Sequence, residues 1–315
     1  MGRIDKNGMP TPTYIKDKEK LIKAIDKAYR QMFDHLILQL QFNPDEPKVI
    51  REREIMRQMN YWIKEMDKQT AKSLEKLIKK TFKEGQAYHL LSVKEAKSWK
   101  DALNSTSFNA IQRAKVQALF EDTYEDILLA TQNTQDSVKA IVRDQVRKVA
   151  QYHSMKNTNY KDQQKDLLKE LSKEGLSERV SKEGFVGIQD ARGRNWDLKT
   201  YSNMVIKTKV NDAFTQGLMH ESEETGFDLA VISNHGAKDA CRKWEGMVIS
   251  LHGKTKGYIT YKQARATNEI WHPNCEHTLH SIRNLDQLHS DDIAIHKKKM
   301  SEIGDVSKRV YKRKK

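Results

Sequence analysis

The chain has 315 residues, of which 57 are Lys or Arg and 43 are Asp or Glu, for a formal net charge of +14. That length suits one large domain or two ordinary ones, no apolar run approaches the roughly 18 residues of a membrane span, and two cysteines make no disulfide framework. The start, MGRIDKNGMP, lacks the apolar core of a secretory signal, and Lys6 stands where a myristoylation site requires Ser or Thr, so the expectation is a protein folded in cytoplasm.

Residues 1–17 carry Pro10, Pro12 and glycine and are expected to be extended. A helix is predicted from about Lys18, because Leu21, Ile22, Ile25, Tyr29, Met32, Phe33, Leu36 and Leu40 keep the spacing of one helical face. The run FNPDEP stops it, since proline removes a donor and disfavours helix in the residue before it. A second helix is predicted from Lys48 to Lys83 on the stripe Ile55, Met59, Trp62, Ile63, Met66, Leu74, Leu77, Ile78 and Phe82, with Gly85 as its stop. Ser92 and Glu95 have the spacing of a capping box. Further stripes run from Val116 to Leu128 and from Val138 to Val149, and Leu167, Leu168 and Leu171 suggest a shorter helix before Gly175. Packing of helix on helix explains these Met and aromatic stripes better than a cofactor pocket does.

After residue 175 glycine and turn formers mark a connection. Asp197 can cap a helix carrying Leu198, Tyr201, Met204, Val205, Thr208, Val210, Ala213 and Leu218 that ends near Gly226. Short β-like runs follow at 228–233, 247–251 and 258–261, with 277–282 a weaker one. The last twenty residues hold nine Lys or Arg against Glu302 and Asp305, about half the net charge. The fold class is therefore α+β: an extended N-terminus (1–17), a long helix-rich body (18–184), a small α+β module (185–290) and a basic tail (291–315). Lys308, Arg309, Lys312, Arg313, Lys314 and Lys315 in that tail are candidates for non-specific phosphate contacts with double-stranded DNA, since each neutralised phosphate releases counterions.

The module also gathers His235, Cys241, His252, His272, Cys275, His277 and His280. Thiolate and imidazole are zinc ligands, and four held tetrahedrally stabilise a small module. Cys241, His272, Cys275 and His277 form the candidate set for a structural zinc, with His235 as alternate. A C-x-x-C knuckle is absent, because Lys238 stands three residues before Cys241. A metal-dependent nuclease of the His-metal-finger kind is the rival enzymatic reading. It would use His235 after a strand and His277 downstream as base and ligand, but a second acidic ligand is not evident. The chain has no G-x-S-x-G elbow, no P-loop and no dinucleotide glycine pattern. No catalytic residues are assigned, and the expectation is a protein that is not an enzyme.

The ordered landmarks of this region carry a resemblance. Gly193, Arg194 and Trp196 form a G-R-x-W segment, and Tyr201, Met204, Val205 and Thr208 a Y-x-x-M-V helix with a following threonine. Asp228, Leu229, Ile232, Ser233, His235, Gly236 and Ala237 make a strand and turn. Trp244, Gly246, Val248, Ser250, Leu251 and Gly253 make a hairpin-like segment, and Asn274, Cys275 and His277 close the series. This string resembles the phage minor capsid protein 2 family, relatives of the Mu F-like head morphogenesis proteins. Glu245 departs from the glutamine usual there, and Met247 from a common lysine.

The resemblance implies a minor head protein of a tailed bacteriophage, made in the host cytoplasm and carried in the capsid interior near the portal. It would act in head assembly, DNA packaging or DNA delivery. Its implied partners are the portal protein, the scaffold or major capsid protein, and DNA, with no membrane. Arg194, Trp196, Tyr201, Thr208, Trp244, Gly246 and Asn274 are then structural positions of the motif: tryptophans as anchors, glycine for turns, and Arg194 holding a carboxylate or a carbonyl.

Overall fold

A computed structural model describes residues 9, 12–42, 48–156, 188–189, 195–196, 198–304 and 306. In chain order the elements are α1 (Tyr14–Phe42), α2 (Lys48–Ser92), α3 (Trp99–Ser105), α4 (Ala110–Lys156), β1 (Ile188–Gln189), β2 (Asn195–Trp196), α5 (Leu198–Thr225), β3 (Leu229–Ile232), β4 (Val248–Ser250), α6 (Tyr261–Ala266), β5 (Leu279–Ile282) and α7 (Ser290–Ile303). Short 3-10 turns at Ala240–Lys243 and Leu285–Gln287 follow β3 and β5. The architecture is helix-rich α+β with one small antiparallel sheet near the C-terminus. Among the described residues no helix is long and apolar enough to cross a membrane.

The chain divides into two compact units, one of residues 1–18, 75–120 and 206–315, the other of 19–74 and 121–205. Among its described residues the second unit is helical apart from the paired β1 and β2. Its buried positions, Leu21, Ile25, Ile63, Met66, Leu74, Ile127 and Ala130, are the periodic apolar residues of α1, α2 and α4 or close neighbours of them. Asp67 sits within this core, accepting from Thr131 Oγ1 at 3.3 Å. Burial raises its pKa to about 6, against the lowering effect of that hydrogen bond.

The first unit holds the sheet, in the order β4–β3–β5 with both pairings antiparallel. All four residues of β3 are buried, as befits a central strand covered on both faces. Leu229, Val231, Val248 and Ile282 form one cluster, to which Tyr258, Leu285 and Leu288 add partial cover. The C-terminal part of α2 contributes Phe82, Ala87 and Leu90 to the buried set, and α5 contributes Ile206, Val210, Phe214 and Leu218.

Four local expectations are corrected. Gly85 does not stop α2, which continues to Ser92. An ideal Cβ on Gly85 would lie 2.1 Å from the Phe214 carbonyl oxygen, so the glycine admits another backbone rather than ending the helix. Ser92 and Glu95 form no capping box: Ser92 Oγ donates to Tyr88 O at 2.6 Å, and Ser98 caps α3 by accepting from Asp101 N at 3.2 Å. The run 258–261 is not a strand. It offers one isolated bridge, Ser250 to Thr260, before Thr260 and Gln263 form the capping box of α6. Residues 290–303, expected to begin the basic tail, form α7, which buries His296 and Ile303. By contrast the weak β signal at 277–282 contains a strand, Leu279–Ile282, pinned against β3 with Ile232 opposite Leu279.

Candidate functional site

Two segments build the His/Cys cluster. The first is the 3-10 turn after β3, which starts when Asp239 Oδ1 accepts from Cys241 N at 3.0 Å and turns the buried Cys241 inward. The second is the loop 267–278 between α6 and β5. It is gripped by α5, where Thr208 Oγ1 accepts from Asn274 N at 3.1 Å and Asn211 Nδ2 donates to Cys275 O at 3.1 Å. Thr208 and Asn211 are three residues apart on the helix and so share a face. Trp271 and Asn274 both have left-handed φ, +53° and +66°. Asparagine tolerates this region, whereas a tryptophan there costs roughly 1–2 kcal/mol that its surroundings must offset.

The four candidate zinc ligands lie in one row of contacts. Cys241 Sγ is 2.9 Å from His272 Nε2 and 3.6 Å from Cys275 Sγ, and Cys275 Sγ is 3.3 Å from His277 Nδ1. The donor atoms of Cys241, Cys275 and His277 all lie within 4.8 Å of one another. His272 groups instead with Cys241 and Asp239, its Nε2 standing 3.3 Å from Asp239 Oδ2. Its Nδ1 donates to Pro273 O at 2.9 Å. Both cysteines are buried free thiols. Burial, and then the neighbouring Cys275, push the Cys241 thiol far up.

His235, the alternate, is exposed, and its ring centroid lies 4.1 Å from that of His277. It shares with His277 the carboxylate of Glu245, a residue marked in the sequence only as a departure from a resembled motif. Glu245 Oε1 accepts from His235 N at 3.1 Å, from Ala237 N at 2.9 Å and from His277 Nε2 at 3.3 Å. Burial alone would raise its pKa, but these bonds outweigh burial and hold the carboxyl below its ordinary value. The pKa of His277 is pushed down by burial first and then by His235. A neutral ring that donates from Nε2 to Glu245 presents its Nδ1 lone pair to Cys275. Asn211 and Glu245 are thus the positions that sequence patterns left unassigned. The one available signal for Asn211 was its place one turn after Thr208.

The remaining motif residues shape the scaffold. Trp244 is fully buried, with its indole N–H 3.2 Å from Glu269 Oε2. Gly246, at φ +76°, donates to Ile232 O at 2.9 Å and closes the turn into β4. Asp228 accepts from Ser250 Oγ at 2.6 Å, His252 N at 2.7 Å and Thr255 N at 2.8 Å. Those bonds overcome the opposing effect of burial and keep its carboxyl below the usual range. Trp196 lies in β2 opposite Ile188, and Tyr201 lies on α5. Arg194 and the basic residues Lys308, Arg309, Lys312, Arg313, Lys314 and Lys315 fall outside the described residues.

Comparison with known families returned a match to the model of phage minor capsid protein 2 over residues 45–292. No curated protein and no solved structure matched. The matched span contains α2 to α6, the whole sheet and the His/Cys cluster, and with that coverage the chain belongs to the phage minor capsid protein 2 family, a family of virion structural proteins.

Proposed function

We propose that the chain is a minor head protein stationed inside the capsid near the portal, where it acts in head assembly, DNA packaging or DNA delivery and makes sequence-blind contacts with duplex DNA. Membership of a minor capsid family carries this reading. The formal charge of +14 supports the DNA contact, as do exposed Arg242, Lys243, Lys297 and Lys298 on the sheet-bearing unit. Phosphate neutralisation needs only positive charge at a surface, with no base-reading geometry. A structural role fits the cluster better than nuclease chemistry does. Glu245 Oε1 is already engaged by two peptide N–H groups and His277, so this carboxylate is spent on holding the turn.

The test is binding of the purified full chain to duplex DNA across a salt series starting at about 50 mM, where such contacts are strongest. Removal of residues 307–315, which leaves α7 intact, is expected to lower the slope of log affinity against log salt by up to about 5, at about 0.9 per phosphate contact. An unchanged slope would place the contacts elsewhere, and no retention at the lowest salt would end the DNA reading. Co-purification with the portal protein of the same phage after nuclease treatment tests the portal contact.

A further inference from the structure

We propose that Cys241, Cys275 and His277 bind a structural zinc ion, closed by His272 as the fourth ligand and braced by Glu245 behind His277.

The chemistry of the donor set comes first. Two buried thiols and an imidazole converge on one point from the 3-10 turn after β3 and from the loop entering β5. Their order of contact matches a tetrahedron: zinc–sulfur bonds of about 2.3 Å and zinc–nitrogen bonds of about 2.0 Å put neighbouring ligand atoms about 3.3–3.8 Å apart. Observed are 3.6 Å between the sulfurs and 3.3 Å between Cys275 Sγ and His277 Nδ1. His272 Nε2 lies 2.9 Å from Cys241 Sγ and groups with Cys241 and Asp239, so as fourth ligand it must swing from Asp239 towards Cys275 and His277.

Both imidazoles are oriented as zinc ligands usually are. A ligating histidine donates its other N–H to a carboxylate or a carbonyl, which fixes the tautomer and aims the lone pair. His277 has the buried carboxylate of Glu245 at its Nε2, and His272 has the Pro273 carbonyl at its Nδ1. Glu245 is in turn fixed by the N–H groups of His235 and Ala237. The same carboxylate therefore shapes the turn before Cys241 and orients a ligand from the other segment.

The consequence is a staple. Cys241 and Cys275 are 34 residues apart, on the two segments that flank the central strand β3. One ion would join these segments at the end of the three-stranded sheet. Cys275 and His277 belong to the motif string and Cys241 does not; pairing at a distance takes the place of the missing C-x-x-C knuckle.

The full chain, purified without chelator and then supplied with zinc chloride, is expected to hold about one zinc per chain by elemental analysis. Cobalt substitution should give the intense visible bands of a tetrahedral site and thiolate-to-metal charge-transfer absorption. Cys275→Ser should abolish both. Because that variant could simply misfold, Glu245→Gln provides the second measurement: it keeps an acceptor for His277 and should weaken zinc in a chelator competition by about 10-fold or more. His272→Ala should retain the charge-transfer bands but alter the visible ones. Wild-type protein that stays near zero zinc with two titratable thiols overturns the proposal. So does a mass two hydrogens lighter, which would mean a Cys241–Cys275 disulfide, or a Glu245→Gln affinity equal to wild type.

Discussion

Gly85 on α2 and Gly217 on α5 face each other's helix backbone reciprocally. A Cβ on Gly85 would meet the Phe214 carbonyl oxygen at 2.1 Å, and one on Gly217 would meet the Phe82 carbonyl oxygen at 2.0 Å. The two helices cross where both lack a side chain, so that the backbones touch and the rings of Phe82 and Phe214 are buried close by. Neither glycine has positive φ. Close approach, not backbone freedom, is the reason for each.

Gly85→Ala and Gly217→Ala are therefore expected to destabilise. Alanine favours a helix over glycine by about 1 kcal/mol, but relieving a clash with backbone atoms costs about 1–3 kcal/mol or more. The net loss should appear as a lower urea midpoint for each variant. A midpoint at or above wild type would show that the helices can separate freely.

Acid should weaken the protein while most of its carboxylates are still ionised. His89 is buried, with its Nε2 facing Thr225 Oγ1 at 2.7 Å and its Nδ1 facing Ser281 Oγ at 2.8 Å. Thr225 Oγ1 already donates to Glu221 O, so His89 donates from Nε2 and accepts at Nδ1. Burial, and then His252, push its pKa down from 6.5 to about 3, and burial pushes that of His280 to about 4. Below pH 6.5 the unfolded chain takes up protons that the folded chain refuses, so stability is full above that pH and falls as pH drops towards the folded values. The loss is about 1 kcal/mol per pH unit for each histidine. Unfolding midpoints between pH 7.5 and 4.5 should decline, and His89→Gln should flatten the decline.

Asp228 acts in a lower window. Its folded pKa is depressed, so its contribution is present above the unfolded value near 3.8 and is lost only as pH falls below that. At neutral pH Asp228→Asn cannot accept equally well from Ser250, His252 and Thr255, and a cost of about 2–3 kcal/mol is expected. Equilibrium unfolding at pH 7 checks this, and a change under about 0.5 kcal/mol would mean that the turn 250–255 holds without the carboxylate.

Thr208→Val keeps the shape of the α5 side chain but removes the acceptor for Asn274 N. Water can replace part of that bond at this exposed position, so the expected loss is about 1 kcal/mol. Hydrogen exchange at the Asn274 amide should speed up more than at the amides of β3. Equal protection in both proteins would show that the loop is held without this bond.

Much of this molecule was legible in its sequence. The apolar stripes of α1, α2, α4 and α5 could be read because a helix repeats its inward face every three or four residues. The short apolar runs around Leu229 and Val248 were legible as strands buried on both faces. The residue types of the His/Cys cluster were legible too, as was the family string from Gly193 to His277. Tertiary structure alone decided the rest. Gly85 has the composition of a helix stop, but another backbone passing within contact distance makes it a crossing point. Glu245 looks like a lost glutamine, yet two peptide N–H groups and an imidazole converge on its carboxylate. Local sequence sets which conformations and donors are available. Which atoms 34 residues apart come to 3.6 Å is set by long-range packing, here the grip of Thr208 and Asn211 on the loop that carries Cys275.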